Sequence, residues 1–374
     1  MSVVDFCAEL LRIESTPGNE RRAVERAAQE MADLGYDDVR IDEHGNLLGR
    51  IGPEDGRPVL VLDAHIDTIP LHAEAWTYDP LGAQIADGVM YGLGASDMKG
   101  PVAAIVHGGA RVKKSDVALR GTLFVVASIS EEMMEGATLD RSFADVPVDY
   151  CVIAEATGLT IATAQRGRAK VEVEVRGHSV HAANARLGVN AAEIAAEVVR
   201  GARELPSGYH PLLGKRDVNL IDIRSEPYPS VNTIPNYCLA RFDVRFLPGE
   251  TKEGLLDTFR GLVPPGAEAD VRYYRARWQT YVGEGFEVDE FAASWETSRD
   301  HEIVRAAEEA TGAELSAYQF CTNGSYFAGS RGIPTIGFGP AFPEEAHTPD
   351  ESIPVDHLER AAESYRDIVL ALLT

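Results

Sequence analysis

Residues 59–70 read VLVLDAHIDTIP. The run opens as an unbroken apolar segment of strand length. Such a segment marks a strand covered on both faces, as in a parallel or mixed sheet packed between helices. It closes on polar groups, Asp63, His65 and Asp67, ahead of Pro70. Either these cap a strand end or the strand delivers them to a site. Two more runs have the same form: GTLFVVASIS leads into Glu131 and Glu132, and YCVIAE ends at Glu155. Helical periodicity separates and flanks them. It runs from Ser2, a capping residue, to Ile13, from about Glu20 to Leu34, and from Lys99 to about Val112. Alternating strands and helices predict an α/β fold, a mixed sheet in a three-layer α/β/α domain.

The texture changes near Arg168. AKVEVEVRG alternates apolar and charged residues, as a strand does in a sheet with one wet face. A helix (GVNAAEIAAEVVRGARE), the strands VNLIDIRS and YCLARFDVRFL, a helix near Thr251–Leu262 and the strand AEADVRYYRAR follow. The order β-α-β-β-α-β is that of a split-βαβ, ferredoxin-like unit. The expected division is therefore a domain of residues 1–167 and 280–374 with a second domain, 168–279, inserted in it. A chain of 374 residues exceeds one ordinary core and suits two.

The formal charge of −24 argues against nucleic acid or an anionic membrane as partner, since both need a surplus of Lys and Arg. Cys7, Cys151, Cys238 and Cys321 are scattered without a CxxC pair, which disfavours a thiolate zinc site or a disulfide scaffold. The start MSVVDFCAELLRIEST has no basic n-region or small-residue cleavage site, so the expected location is cytoplasmic.

In an open α/β sheet the ligand site lies beyond the carboxyl ends of the strands. Three strands here would send His65 with Asp67, Glu131 with Glu132, and Glu155 to that edge. Asp97, in the Gly-rich stretch YGLGASDMKG before a helix, is a fourth candidate, with an N-cap carboxylate as the plainer reading. His347, in EEAHTPDESIP, is a fifth, unless it is merely an exposed loop histidine. His65, Asp97, Glu132, Glu155 and His347 together supply two imidazoles and three carboxylates. That set suits a pair of zinc-like ions bound through N and O.

With these segments in hand the chain resembles the acetylornithine deacetylase/succinyl-diaminopimelate desuccinylase family of co-catalytic zinc amidohydrolases, which includes aminoacylases, dipeptidases and carboxypeptidases. The resemblance rests on HIDTIP, GASDMKG, SEEMMEG, AEATG and AHTPDE in that order, and it spans nearly the whole chain. It implies two divalent ions, Zn foremost with Co or Mn as alternatives. Asp97 would bridge them, His65 and Glu155 would complete one site, and Glu132 and His347 the other. It further implies Glu131 as general base, Asp67 orienting His65 through the free ring N–H, and a cis Asp97–Met98 peptide.

In VRGHSVHAANARLGVNAAE the resemblance makes His181 an oxyanion donor reaching a partner subunit from a lid domain that also dimerises, with His178 as the competing residue. Asn232 and Arg245 match lid positions for substrate. A strand-end Arg paired with Asp243 or Glu250 is the alternative for Arg245. The segment FCTNGSYFAG replaces the family's Thr-Ser-Asp loop: Thr322, Asn323, Gly324 and Ser325 offer donors but no Asp. That departure points away from diaminopimelate substrates. The expected activity is hydrolysis of a small N-acyl amino acid by a homodimer. A dipeptidase or carboxypeptidase on the same scaffold is the alternative. A binding protein without catalysis would be expected to lack a ligand or the base, and neither is missing.

Overall fold

The computed structural model describes residues 1–71 and 75–374. In Val59–His65, Leu60, Leu62 and Ala64 face one apolar cluster while Val61 faces another. Successive side chains of a strand point to opposite faces, so an unbroken apolar run is what a doubly covered strand requires. Val59–His65 pairs in parallel with Thr122–Ser128 on one side and Tyr150–Ile153 on the other, and Thr335–Gly337 extends the parallel set. Outside Thr122–Ser128 lie the antiparallel strands Leu47–Ile51 and Asp38–Ile41, and beyond Thr335–Gly337 the mixed sheet continues through Ile161–Gln165 to Leu315–Tyr318 and Trp295–Glu296.

One sheet face carries the helices Val3–Leu11, Arg21–Asp33, Lys99–Lys114 and Val355–Leu373, with Phe6, Leu10, Met31, Val102, Tyr365 and Leu372 in a common core. Lys99–Lys114 is buried along almost its whole length. Gly108 and Gly109 make that burial feasible: a Cβ at Gly109 would lie 2.3 Å from the Tyr36 hydroxyl, and one at Gly108 2.8 Å from Tyr365 Cβ. The opposite face is covered by Leu139, Phe143, Tyr326 and Phe327. The expected α/β/α layering is thus observed. Sequence-derived helix ends agree to within about two residues. Ser2 caps the first helix, accepting from Asp5 N–H at 3.1 Å.

The chain divides into two compact units. The first is Met1–Gln165, Arg277–Glu287 and Glu296–Thr374; the second is Arg166–Ala276 with Val288–Trp295. In the second unit the antiparallel order is Asp217–Glu226, Tyr237–Phe246, Gly167–Arg176, Glu268–Tyr273, and helices Ala191–Arg203 and Lys252–Arg260 cover one face. This is the split-βαβ arrangement. Ala169, Val171, Val173 and Val175 enter the core. The alternate residues face an ion-pair lattice instead: Glu172 meets Arg241 at 2.8 Å and Arg272 at 3.2 Å, and Glu174 meets Arg272 at 2.9 Å. Among the described residues no helix is long and apolar enough to cross a membrane.

Candidate active site

The parallel strands of the first unit end in register, His65 opposite Ser128, so the loops after them emerge at one edge. His65 is buried to 1% exposure, and its Nδ1 lies 2.9 Å from the main-chain carbonyl of Asp67. A carbonyl only accepts, so Nδ1 carries a proton and Nε2 faces the carboxylates. Nε2 lies 2.9 Å from Asp97 Oδ1, 3.4 Å from Glu155 Oε1 and 3.8 Å from Glu131 Oε2. On the other side of Asp97, Oδ2 is 3.2 Å from His347 Nε2, which is itself 3.0 Å from Glu132 Oε1. Asp97 therefore gives one oxygen to a His65/Glu155 set and the other to a His347/Glu132 set. The Asp97–Met98 peptide is cis.

Glu131 and Glu132 reach the same edge because the chain turns at Ser130, whose φ of 58° breaks the strand's alternation. Asp67 holds that turn, accepting from Glu131 N–H at 3.2 Å and Glu132 N–H at 3.1 Å. This differs from the sequence reading of Asp67. Its main-chain oxygen, rather than its carboxylate at 3.6 Å, takes the close contact with His65 Nδ1, because the carboxylate is already committed to the Glu pair.

Charge explains the electrostatics. Burial opposes an imidazolium at His65, yet Glu131, Asp97 and Glu155 hold its pKa well above the ordinary value. Hydrogen bonds with Asp97 and Glu132 push His347 up to about 10. Burial and the nearby Asp97 push Glu155 up to about 7, and burial drives Glu131 well above the usual carboxylate range. Asp97 is the exception: burial notwithstanding, the two imidazoles bonded to it hold it below its ordinary value. Glu131 Oε1, buried, has no hydrogen-bond partner among the described residues. Sets of His65, Asp97 and Glu132, and of His65, Glu131 and Glu155, each bring their ligand atoms within 4.8 Å. An N/O donor set this dense in negative charge fits divalent cations.

The remaining sequence-derived candidates have other surroundings. Asn323 is interior: Nδ2 donates to Asp63 Oδ2 at 2.8 Å and Ser128 Oγ at 3.0 Å, and Oδ1 accepts from Gly136 N–H at 2.6 Å. Thr322 Oγ1 donates to Gln165 Oε1 at 2.6 Å and accepts from Gly324 N–H, and Ser325 Oγ accepts from Gln165 Nε2 at 2.8 Å. These side chains, with Gly324, are buried, and their polar groups hydrogen-bond within the interior. Asp63 bonds across the interior to Asn323, 260 positions away in sequence.

In the second unit His181 is exposed. Its Nδ1 accepts from Ala183 N–H at 3.1 Å, which puts the proton of the neutral ring on Nε2 as a free donor. Asn232 is its neighbour, its carbonyl accepting from Ala182 N–H. Arg245 Nε donates to Asp243 at 2.8 Å, the strand-end pairing weighed from the sequence.

Two buried carboxylates escaped the sequence reading. Glu20 closes the STPGNE segment, and its Oε1 accepts from Ser130 Oγ at 3.1 Å. Glu351 ends HTPDE and accepts from three main-chain N–H groups around Asp97. For Glu351 the signal was a carboxylate within a motif-like segment with no Lys or Arg near it in sequence, whereas Glu20, followed by Arg21 and Arg22, gave none.

The sequence profile of Peptidase family M20/M25/M40 matches residues 61–371. An uncharacterised protein of Escherichia coli K12, YgeY, is 31% identical over 98% of this chain and 94% of its own length. An acetylornithine deacetylase of Vibrio vulnificus is 31% identical over 91% of this chain and 89% of its own. Among solved structures, the YXEP protein of Bacillus subtilis, a dinuclear metal-binding peptidase, superposes with a TM-score of 0.74 at 15% identity, covering 99% of this chain and 97% of the other.

Proposed function

The chain belongs to Peptidase family M20/M25/M40, and on that premise we propose that it hydrolyses the amide bond of a small N-acyl amino acid with two divalent metal ions, Zn foremost. The observation that carries this reading is Asp97, whose two oxygens each face a separate imidazole-and-carboxylate set. His65 with Glu155, and His347 with Glu132, would hold one ion each, Asp97 both. When bound, such a pair supplies Lewis acidity toward the amide carbonyl and acidifies a water.

The chain's own residues do the rest. Glu131, buried and with Oε1 uncommitted, accepts a proton from the attacking water and returns it to the nitrogen as the C–N bond breaks. Its raised proton affinity suits that double role. Asp67 keeps Glu131 beside Glu132 through their main-chain N–H groups. His181 presents an Nε2–H suited to a developing oxyanion, and we assign it that role in a partner's site. Support for a homodimer comes from the strand Asp217–Glu226. It ends the second unit's sheet with an open edge and leaves Ile221 50% and Ile223 49% exposed. Uncovered apolar edges of this kind invite pairing.

The deacylase reading is favoured over a dipeptidase by the acetylornithine deacetylase relative, and one screen compares them: acetyl-, succinyl- and formyl-amino acids beside dipeptides. Dialysis against a chelator should abolish hydrolysis, and Zn, Co or Mn should restore it. Glu131→Ala should retain the metal content of the wild type and lose about 100- to 10,000-fold in kcat. Normal turnover by that variant would remove Glu131 from the mechanism.

A further inference from the structure

The segment after His347 holds more than a ligand. Glu351 is 1% exposed and lies four residues beyond His347. Its Oε1 accepts from Ser96 N–H and Asp97 N–H, each at 2.8 Å, and its Oε2 from Gly94 N–H at 3.0 Å. Its main-chain oxygen accepts from Gly92 N–H at 2.9 Å. One residue thus binds the main chain of the Asp97 loop at four points. Directly after it, Ser352–Pro354 pairs antiparallel with Val89–Tyr91, the strand that enters the same loop. Just before it, Asp350 Oδ1 accepts from Thr77 N–H at 2.7 Å and Tyr78 N–H at 3.0 Å.

A loop rich in glycine has many conformations, and Gly94 adopts a φ of 87°. Without an external acceptor the three N–H groups would have no partner in the interior, a cost that pins the loop to Glu351. Because His347 and Glu351 share a short segment, fixing the loop to Glu351 also fixes Asp97 relative to His347. A shared carboxylate needs this more than a ligand of one ion does, because each of its oxygens must meet a different partner.

We propose that Glu351 is the positioning residue for Asp97: through the N–H groups of Gly94, Ser96 and Asp97 it sets the carboxylate between His65 and His347. This rests on the two-ion reading above. It places no charge of Glu351 on substrate or metal.

The test uses full-length protein, wild type and Glu351→Gln, loaded with Co(II). The amide keeps the side chain's size but replaces one acceptor oxygen with a donor that faces main-chain N–H. The expected result is an unchanged melting profile of the second unit and weaker cobalt binding, by about 10- to 100-fold. An altered visible cobalt spectrum should accompany it. At saturating metal kcat should fall with KM close to wild type, because the substrate contacts are untouched. Wild-type cobalt affinity, spectrum and kcat in a folded Glu351→Gln protein would overturn the proposal.

If that variant does not fold, hydrogen exchange on the metal-free wild type decides. The amides of Gly94, Ser96 and Asp97 should exchange as slowly as those of Val59–His65, and exchange at exposed-loop rates overturns the clamp. Failure of the two-ion reading looks different: the wild type itself would take up no cobalt, whatever the exchange of these amides.

Discussion

Asn323→Leu is the sharpest probe of how the interior beneath the site is built. Asn323 is 3% exposed, and among the described residues its side chain makes three hydrogen bonds, to Asp63, Ser128 and Gly136. At roughly 1 kcal/mol net each, their loss costs about 3 kcal/mol. Leucine also takes from Asp63 one of the two side chains, Asn323 and Ser128, that hydrogen-bond it. That carboxylate is 1% exposed, and its Oδ1 already has no hydrogen-bond partner among the described residues. Removing one partner of a buried charge is costlier than removing a neutral contact, so the total should reach about 4–6 kcal/mol. Few domains have much more than about 5–15 kcal/mol of stability.

Urea unfolding of the metal-loaded protein at neutral pH measures this as a lower midpoint at constant slope. In the double variant Asp63→Leu/Asn323→Leu both polar partners are gone, and about 2 kcal/mol should return. A cost under about 1 kcal/mol, with KM raised tenfold or more, would refute the reasoning. The Asn323 amide would then face substrate.

Two further outcomes follow from single features. Burial, with Asp67 nearby, pushes Glu20 from 4.5 up to about 7, so the native protein holds a proton that the unfolded chain releases near 4.5. The stability this gives is complete below pH 4.5 and lost as pH rises through 7. Glu20→Gln mimics the protonated form. It should gain up to about 3 kcal/mol over wild type at pH 8 and nothing at pH 4.5, and an equal difference at both pH values sinks the assignment. For the homodimer, Ile223→Lys on the open edge strand should halve the sedimentation mass, whereas a wild type that already sediments as a monomer ends that reading.

The sequence carried the fold because burial dictates pattern locally. A strand covered on both faces reads as an unbroken apolar run, as in 59–62, and one with a single dry face has to alternate, as in 169–175. The candidate site was legible for a related reason. Strand ends in an α/β sheet converge, so the sequence alone places His65, the Glu131–Glu132 pair and Glu155 at one edge. Asp97 and His347 were legible as residue types in distinctive segments.

What the sequence could not assign was the use of each polar group. Asn323 and Thr322 have the chemistry to bind a substrate, and their neighbours in space, Asp63 and Gln165, consume it. The carboxylate of Asp67 holds the Glu pair while its carbonyl orients His65. Glu351 reaches across 254 positions to the Asp97 N–H. A hydrogen-bonding group's role depends on which partner lies within about 3 Å, and that distance is set by the packing of segments remote in sequence. Apolar periodicity is a property of one segment and can be read from it, whereas the commitment of a donor or acceptor belongs to a pair and exists only once the chain has folded.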